Sequence, residues 1–304
     1  MDQYDVVIIG GGGAGLTAAL YTSRAKLSTL LLEKLVPGGQ IALTDLVENY
    51  PGFPEGVTGG EISERMEEQA KRYGTEVVYA EVKSLSKKGS LFEIVTAQKT
   101  YTARSIILAA GASFRMLGVK GEKELTGRGV SYCATCDGAF FKEKNIIVVG
   151  GGDSAMQEGI FLTRFAKKVS VVHRRDKLRA SPILQERARQ NPKIEFIWNT
   201  VVEGVEGQKK VEGVVLKNVN DQSAKPFPVD GLFIFVGHEP NTGFLNGFVE
   251  LDDHGYVKTG PSLATSVPGV FAAGEIRTGA VKQLVAACGE GCEAALAAQA
   301  YLEN

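Results

Sequence analysis

The chain is predicted to be an α/β protein made of two Rossmann-like three-layer (ββα) domains, with the second inserted into the first. Two observations predict this fold. The apolar run at residues 6–9 ends in a glycine-rich turn at residues 10–15 and passes into a helical segment, which is the pattern of a buried parallel strand followed by a helix. The same pattern returns at residues 146–155, so the chain is interpreted as an internal duplication of one unit.

The small residues of the two turns each have a physical purpose. The first glycine permits a tight turn, the second lets the backbone approach a pyrophosphate, and the last small residue lets the helix pack closely on the sheet. Backbone N–H groups at the start of the helix then meet the phosphates. The residues are Gly10, Gly12, Gly13, Ala14 and Gly15 in the first turn, and Gly150, Gly152, Asp153, Ser154 and Ala155 in the second. Two such turns, each between a strand and a helix, predict two dinucleotide sites.

The two turns are expected to bind different nucleotides, because they differ 23 positions after their first glycine. The first copy has Glu33 there, and an acidic residue accepts hydrogen bonds from ribose hydroxyls and repels a phosphate. Glu33 therefore predicts FAD. The second copy has His173, followed by Arg174, Arg175 and Arg179, a cationic cluster where a 2′-phosphate would project, which predicts NADPH. A solvated basic face is the alternative for this cluster.

Cys133 and Cys136 form a Cys-x-x-Cys pair directly before the second turn. Such a pair can be part of a zinc site, a disulfide or a redox relay, and the two neighbouring nucleotide sites favour the relay. Zinc is disfavoured because the other cysteines, Cys288 and Cys292, are remote in sequence. Those two are interpreted as small core residues, and no metal is expected.

Composition limits the classes of function. The chain has 304 residues, of which 44% are hydrophobic, enough for about two domains with their own cores. A net charge of -1 gives no overall field that would attract nucleic acid or an anionic membrane. The acidic N-terminus lacks the basic region of a signal peptide, and no apolar stretch approaches the roughly 18 residues of a membrane helix. A cytoplasmic location is therefore expected.

Two alternating segments, at residues 76–104 and 194–219, are predicted to form antiparallel meanders. Each precedes an apolar strand that ends in glycine, at residues 106–111 and 232–237. A further strand at residues 270–273 and a helical stretch at 286–300 return the chain to the first domain.

Crossovers between the domains are expected at residues 113–116 and 239–243. The predicted FAD domain is therefore discontinuous, at residues 1–112 and 243–304. The predicted NADPH domain spans residues 113–242 and carries the cysteine pair.

These residues together resemble the low-molecular-weight thioredoxin reductases, over almost the whole chain. The sequence Cys-Ala-Thr-Cys-Asp at residues 133–137, combined with His-Arg-Arg-x-x-x-Arg at 173–179, is highly specific. The matching pieces are residues 9–15, 38–40, 47–52, 133–138, 150–155, 173–181, 235–242 and 271–275. The resemblance implies a homodimeric flavoprotein that uses FAD and NADPH to reduce thioredoxin or a thioredoxin- or glutaredoxin-like protein.

The resemblance also extends the sets of cofactor residues. For FAD it adds Gly39, Gln40, Asn49, Gly111, Gly274, Glu275, Lys282 and Gln283, and for NADPH it adds Gly237. Two of these depart from the family. Glu275 stands where an Asp usually bonds to the ribityl chain, and Lys282 replaces the flat donor fork of an Arg. Both changes are expected to tune flavin affinity or potential without removing the chemistry.

The resemblance implies how electrons pass through the protein. NADPH gives hydride to the flavin, which then opens the Cys133–Cys136 disulfide, with Cys136 nearer the ring and Cys133 as the exchange thiol. Asp137 is the candidate acid and base for the thiol nearer the flavin, with a helix N-cap as its alternative. Because disulfide and nicotinamide must reach the same flavin, the resemblance also implies that one domain rotates against the other about the crossovers.

Other residues and functions remain open from the sequence. Phe140 and Phe141 are candidates for docking a protein disulfide, with core packing as the alternative. His238 and His254 are interpreted as polar surface. The competing functions are a dithiol oxidase or a ferredoxin-dependent reductase of the same fold, against which the basic cluster argues, and a flavin redox sensor without turnover.

Overall fold

The computed structural model describes residues 2–43, 47 and 49–303, so Glu48 of the matched segment at 47–52 lies outside the described residues. The chain divides into two compact units, one formed by Met1–Ser113 and Glu239–Asn304, the other by Phe114–His238. The predicted boundaries, after residues 112 and 242, lie one and four residues from these. Which cofactor each unit binds stays a prediction.

The helices and strands alternate in the order expected of a duplicated α/β protein. They are β1 (Asp2–Ile9), α1 (Gly13–Arg24), β2 (Thr29–Glu33), α2 (Gly59–Arg72), β3 (Glu76–Tyr79), β4 (Val82–Lys88), β5 (Leu91–Thr96), β6 (Thr100–Leu108), β7 (Ala112–Phe114), β8 (Val130–Ser131), α3 (Ala134–Asp137), β9 (Asn145–Val149), α4 (Asp153–Leu162), β10 (Lys168–Val172), α5 (Pro182–Gln190), β11 (Ile194–Ile197), β12 (Thr200–Glu206), β13 (Gly213–Asn218), β14 (Ala224–Pro228), β15 (Gly231–Ile234), β16 (His238–Pro240), β17 (Val270–Ala272) and α6 (Leu284–Glu303).

The first unit is organised by a sheet in the order β3-β2-β1-β6, with β17 beside the second half of β6. All of these strands are parallel, while β5 and β4 continue antiparallel from the first half of β6. Both faces of β1 are buried: Val6 and Ile8 pack with the helices, and Val7 and Ile9 pack with the β4–β5 meander. This two-sided burial explains why the apolar run is uninterrupted.

The second unit repeats this arrangement. Its parallel sheet has the order β11-β10-β9-β15-β8, and a separate antiparallel sheet joins β12, β13 and β14. On β9, Ile146 and Val148 pack with helical residues such as Met156, whereas Ile147 and Val149 pack with the meander. The predicted α/β fold of two three-layer units is confirmed.

Two details of the predicted meanders are wrong. Residues 76–79 form β3, which pairs in parallel with β2, and residues 194–197 form β11, which pairs in parallel with β10. The end of the first meander and the start of the apolar strand after it form one strand, β6, from Thr100 to Leu108. Short alternating segments have the same periodicity in either kind of pairing, so pattern alone did not separate them.

The chain passes between the units through two short strands, β7 and β16, which pair with each other. Within the described residues, no helix is both long enough and apolar enough to span a membrane.

Candidate functional site

The first glycine turn is shaped by close backbone packing. Gly10 has a φ of +105°, and a Cβ there would collide with the backbone at Ala109. A Cβ at Gly15 would collide with the carbonyl of Gly10. In contrast, a Cβ at Gly12 would have no atom within 4 Å. The turn therefore packs against its own sheet at both ends and leaves its middle open to a close-approaching group.

Glu33, at the end of β2, lies beside this turn. Its Oε2 accepts the Gly11 N–H at 2.6 Å, and its Oε1 accepts the Leu35 N–H at 2.9 Å. The side chain is 9% exposed. Backbone donors therefore fix the carboxylate at the edge of the turn, where its remaining lone pairs suit the hydroxyls of a ribose.

The structure brings most of the other predicted FAD residues towards this turn or towards one another. Gly38, just before Gly39, donates its N–H to the Gly11 carbonyl at 2.7 Å. Asn49 donates from its side chain to Gln283 at 3.1 Å. Gln40 donates to the carbonyl of Ala112, next to Gly111. Gly39, Gly111 and Gly274 have φ values of +58°, +65° and +74°, which glycine adopts without strain.

Glu275 carries the clearest sign of a ligand. Its Oε2 is buried and has no hydrogen-bond partner among the described residues, a costly state for a carboxylate. Burial raises the pKa of Glu275, and the charge of Lys282 partly opposes that rise. A hydroxyl donor supplied by a bound cofactor would satisfy this oxygen. The donor set and the open turn therefore fit FAD.

The second glycine turn is built like the first. Gly150 has a φ of +152°, and a Cβ there would meet Ala155. The carbonyl of Gly151 accepts the Arg179 N–H at 2.7 Å and the Ala180 N–H at 3.1 Å. In the first turn, the Gly11 carbonyl accepts the Gly38 N–H in the same way. A Cβ at Gly152 would have no atom within 4 Å. The middle of this turn is therefore also open.

His173 is not part of the charged surface that the sequence predicts. Its side chain is 7% exposed, and its ring lies against Gly151, where a Cβ would collide with it. Burial lowers the pKa of His173, a hydrogen bond to the Lys177 carbonyl partly opposes this, and the charges of Arg174, Arg175 and Arg179 add to the lowering. The imidazole is therefore neutral near pH 7, and the cationic cluster consists of the arginines alone.

A cavity of about 340 Å³ opens beside this turn. Its lining includes Gly150, His173, Arg174 and Arg179, together with Arg115, which sequence reasoning missed. Arg115 is 59 positions before Arg174, and no local motif marks it. Within the described chain, none of the three guanidinium groups is in an ion pair, so their charge is available to a phosphate.

The remaining predicted NADPH residues do not line this cavity. They are Gly152, Asp153, Ser154, Arg175 and Gly237. The Asp153 carboxylate accepts the Ser181 N–H at 2.5 Å, which ties the start of α4 to the segment after the arginines. The Gly237 carbonyl accepts the Arg115 N–H at 3.0 Å. Asp153 and Gly237 are therefore seen supporting the cavity wall.

Cys133 and Cys136 form a disulfide at the start of α3. In the disulfide form, the Cys136 N–H donates to the Cys133 sulfur at 3.2 Å, and a hydrogen bond of this kind would favour a thiolate at Cys133 once the disulfide is reduced. Asp137 accepts the Ser131 hydroxyl at 2.6 Å, and its side chain makes no N-cap bond to the 3-10 helix that follows. Ser131 in turn accepts the Cys133 N–H at 3.1 Å, so Asp137 and the pair share one hydrogen-bonded segment.

A buried carboxylate that the sequence did not reveal supports this segment. Glu122 is 0% exposed and accepts the N–H groups of Leu117 and Gly118 at 2.9 and 2.8 Å. It also accepts the hydroxyl of Tyr132 at 2.8 Å, and burial and Glu122 raise the pKa of that hydroxyl. Glu122 thus joins the segment after Arg115 to the residue before Cys133.

The other candidate residues differ in how far their side chains are exposed. Phe140 is 47% exposed, but Phe141 is 7% exposed and packs against Phe233, so core packing is the correct interpretation of Phe141. Cys288 is buried and Cys292 half-buried. His254 is exposed, and His238 lies against the ring of Phe114 at 4.9 Å. No group of three potential metal ligands occurs in the described part of the chain.

Comparison with known proteins places this geometry in a family. The model of the family described as pyridine nucleotide-disulphide oxidoreductase matches residues 4–291. Thioredoxin reductase from Listeria monocytogenes is 54% identical over 304 residues, covering 99% of this chain and 94% of that protein. Thioredoxin reductase from Bacillus subtilis is 51% identical over 303 residues, covering 99% and 95%. The crystal structure of thioredoxin reductase from Streptococcus pyogenes is 44% identical, with a TM-score of 0.92 over 99% of this chain and 98% of that one.

Proposed function

The chain belongs to the pyridine nucleotide-disulphide oxidoreductase family as a thioredoxin reductase that uses FAD and NADPH, and we propose which of its residues hold each cofactor and move each proton. The observation that carries the proposal is the Cys133–Cys136 disulfide, since it shares one polypeptide with two glycine turns that differ in the charge beside them. FAD, when bound, supplies the two-electron chemistry that joins a pyridine nucleotide to a disulfide.

We propose that the first unit binds FAD. The open backbone at Gly12 and the start of α1 would hold the pyrophosphate, and Glu33 would accept from the adenosine ribose. Glu275 would accept from a hydroxyl of the ribityl chain. The unpartnered Oε2 of Glu275 supports this assignment, as does the backbone-held carboxylate of Glu33.

We propose that the second unit binds NADPH and prefers it to NADH. Arg174 and Arg179 line the cavity with Arg115, and Arg175 extends the same basic surface. Guanidinium groups bind phosphate oxygens in pairs of hydrogen bonds. The neutral His173 would hold the turn in shape and contribute no charge.

We propose a course of thiol exchange that the contacts of the cysteine pair support. The Cys133 thiolate would attack one sulfur of the thioredoxin disulfide, forming a mixed disulfide and releasing one thiolate. The Cys136 thiolate would then attack the Cys133 sulfur, releasing reduced thioredoxin and restoring the Cys133–Cys136 bond. The hydrogen bond from the Cys136 N–H to the Cys133 sulfur supports Cys133 as the attacking thiol, and Asp137 is the proposed proton donor and acceptor for Cys136.

Replacement of each cysteine by serine tests this order. Cys136→Ser should leave reduction of the bound flavin by NADPH intact, abolish thioredoxin turnover, and trap a mixed disulfide between Cys133 and thioredoxin. Cys133→Ser should abolish turnover without trapping the complex. Anaerobic absorbance and mass spectrometry measure the two results.

Cys292→Ser is the matched control, since Cys292 is a half-buried thiol outside the disulfide. It should retain full turnover. Thioredoxin turnover that survives Cys136→Ser would disprove the relay, and a complex trapped by Cys133→Ser instead would reverse the two roles.

We further propose that the protein is a homodimer and acts in the cytoplasm. An apolar stripe on α6, formed by Val285, Gly289, Cys292 and Leu296, supports the dimer: Val285 is 47% and Leu296 53% exposed. The reaction supports the location, because keeping protein thiols reduced is chemistry of the cytosol.

A further inference from the structure

Glu290, on α6, anchors the turn that carries Glu275. Its Oε2 accepts the Gly274 N–H at 2.7 Å and the Arg277 Nε–H at 2.8 Å, and its Oε1 accepts from the Arg277 Nη2. The side chains of Arg277 and Glu290 are 18% and 13% exposed. One carboxylate thus binds both ends of the turn at residues 274–277, with Glu275 between them.

The same part of α6 contacts the start of α1. A Cβ at Gly291 would collide with the backbone of Ala14, so the two helices touch at that point. One turn earlier on α6, the Cys288 thiol lies 3.7 Å from the Gly13 carbonyl. Helix α6 therefore fixes the glycine turn with small residues and the Glu275 turn with Glu290.

We propose that Glu290 is a positioning residue for FAD, which holds the Gly274 turn so that the unpartnered Oε2 of Glu275 meets a hydroxyl of the cofactor. This inference rests on the FAD site proposed above. It extends that site to the pair formed by Arg277 and Glu290. The pair acts by fixing the backbone on which Glu275 stands.

The energetics of buried charges favour a positioning role. Removing two charges from water costs about as much as their attraction returns, so a buried ion pair is weak evidence for stability. A bidentate, charge-assisted contact is nevertheless geometrically strict. Affinity for a ligand rises when the groups that contact it are held in place by their neighbours before binding. Loss of Glu290 alone leaves the charge of Arg277 without its partner, which lowers the stability of the fold, so FAD binding and unfolding are measured separately.

Reconstitution of the apoprotein tests this proposal. FAD is titrated into apoprotein of the full chain, and quenching of flavin fluorescence gives the dissociation constant, while thermal unfolding of the apoprotein gives its stability. Glu290→Leu removes all three contacts and should raise the dissociation constant about tenfold or more. Glu290→Gln keeps an oxygen that can accept the Gly274 N–H, so its dissociation constant should lie between those of the wild type and the leucine variant.

Glu67→Leu is the matched control. Glu67 lies on α2 of the same unit, its side chain is also 13% exposed, and it pairs with Lys71 at 2.5 Å. This variant removes an ion pair of the same unit and should leave the FAD dissociation constant unchanged. Equal weakening of FAD binding by the Glu67 and Glu290 leucine variants would show a general structural effect and overturn the proposal.

A Glu290→Leu variant that binds FAD as tightly as the wild type would also overturn it. If that variant does not fold, Glu290→Gln decides: a dissociation constant at least about threefold above the wild-type value supports the proposal, and an unchanged value refutes it. Failure of the proposed FAD site is distinguishable, because the wild-type apoprotein would then not bind FAD at this site.

Discussion

Glu33 and His173 occupy equivalent positions in the two copies of the fold, and they use them differently. Each lies at the end of the strand that follows the helix of its glycine turn, and against the second residue of that turn. Glu33 accepts a backbone N–H there, whereas the ring of His173 packs and stays neutral. A neutral histidine neither repels nor attracts a phosphate strongly, so the exposed arginines beyond it are the groups that we propose recognise the 2′-phosphate.

The double substitution Arg174→Ala and Arg175→Ala should weaken the binding of NADPH far more than the binding of NADH. A hydrogen bond to a charged group contributes about 1.5–3 kcal/mol, so KM for NADPH should rise about tenfold or more. KM for NADH should change little, because NADH has no 2′-phosphate. Steady-state kinetics with both nucleotides measure the difference.

Arg187→Ala is the control for this substitution, since Arg187 is an exposed arginine on α5 of the same unit. It should change neither KM. Equal effects of the double substitution on NADPH and NADH would refute the phosphate assignment and leave the arginines as a solvated face.

Helix α6 has two faces of different composition, one buried and one exposed. Its buried face carries small residues such as Gly291 and Ala294, which allow contact with the backbone of α1. Its outer face carries the apolar stripe proposed for the dimer, and Tyr21 of α1 lies beside it at 40% exposure. Tyr21 forms a hydrogen bond with the Cys292 thiol, which raises the pKa of Tyr21. This contact extends the stripe from α6 onto α1. An exposed apolar patch of this kind marks an interaction surface.

Leu296→Asp should separate the dimer into monomers. A charge in the centre of an apolar interface is buried without a partner, which opposes association. Sedimentation should show a mass near 32.5 kDa for the variant and twice that for the wild type. Ile183→Asp on α5 is the control, because Ile183 is equally exposed at 53%, and it should leave the dimer intact. A variant of Leu296 that stays dimeric would exclude this face.

The whole molecule consists of one α/β unit inserted into another. The disulfide and the proposed NADPH site are both in the inserted unit, while the proposed FAD site is in the unit that surrounds it in sequence. If both proposed sites are correct, electrons pass twice between the two units. We propose that the inserted unit rotates about β7 and β16, so that nicotinamide and disulfide reach the flavin in turn.

A covalent cross-link between the units should therefore block thioredoxin reduction. A photocleavable lysine cross-linker, with the linked positions identified by mass spectrometry, allows the same sample to be assayed before and after release. Turnover should fall on linking and return on illumination. Unchanged turnover in protein shown to be linked between the units would contradict the rotation, and protein linked within one unit is the control.

The sequence by itself determined the parts of this protein that depend on spacing along the chain. Uninterrupted apolar runs predicted strands buried on both faces. The structure has this burial because β1 and β9 each lie between helices and a meander. The glycine turns, the residues 23 positions beyond them and the Cys-x-x-Cys pair are equally local. They were sufficient to predict two nucleotide units and a redox disulfide.

Only the tertiary structure decided which distant residues act together. Parallel pairing of β3 and β11 depends on neighbours far away in sequence, and periodicity does not record it. Arg115 lines the same cavity as Arg174, Glu122 contacts Tyr132, and Glu290 contacts Arg277, because particular strands and helices pack in a particular register. The neutrality of His173 likewise comes from the backbone packed over its ring. Local pattern reflects the period of one element, whereas a site depends on the contacts between elements.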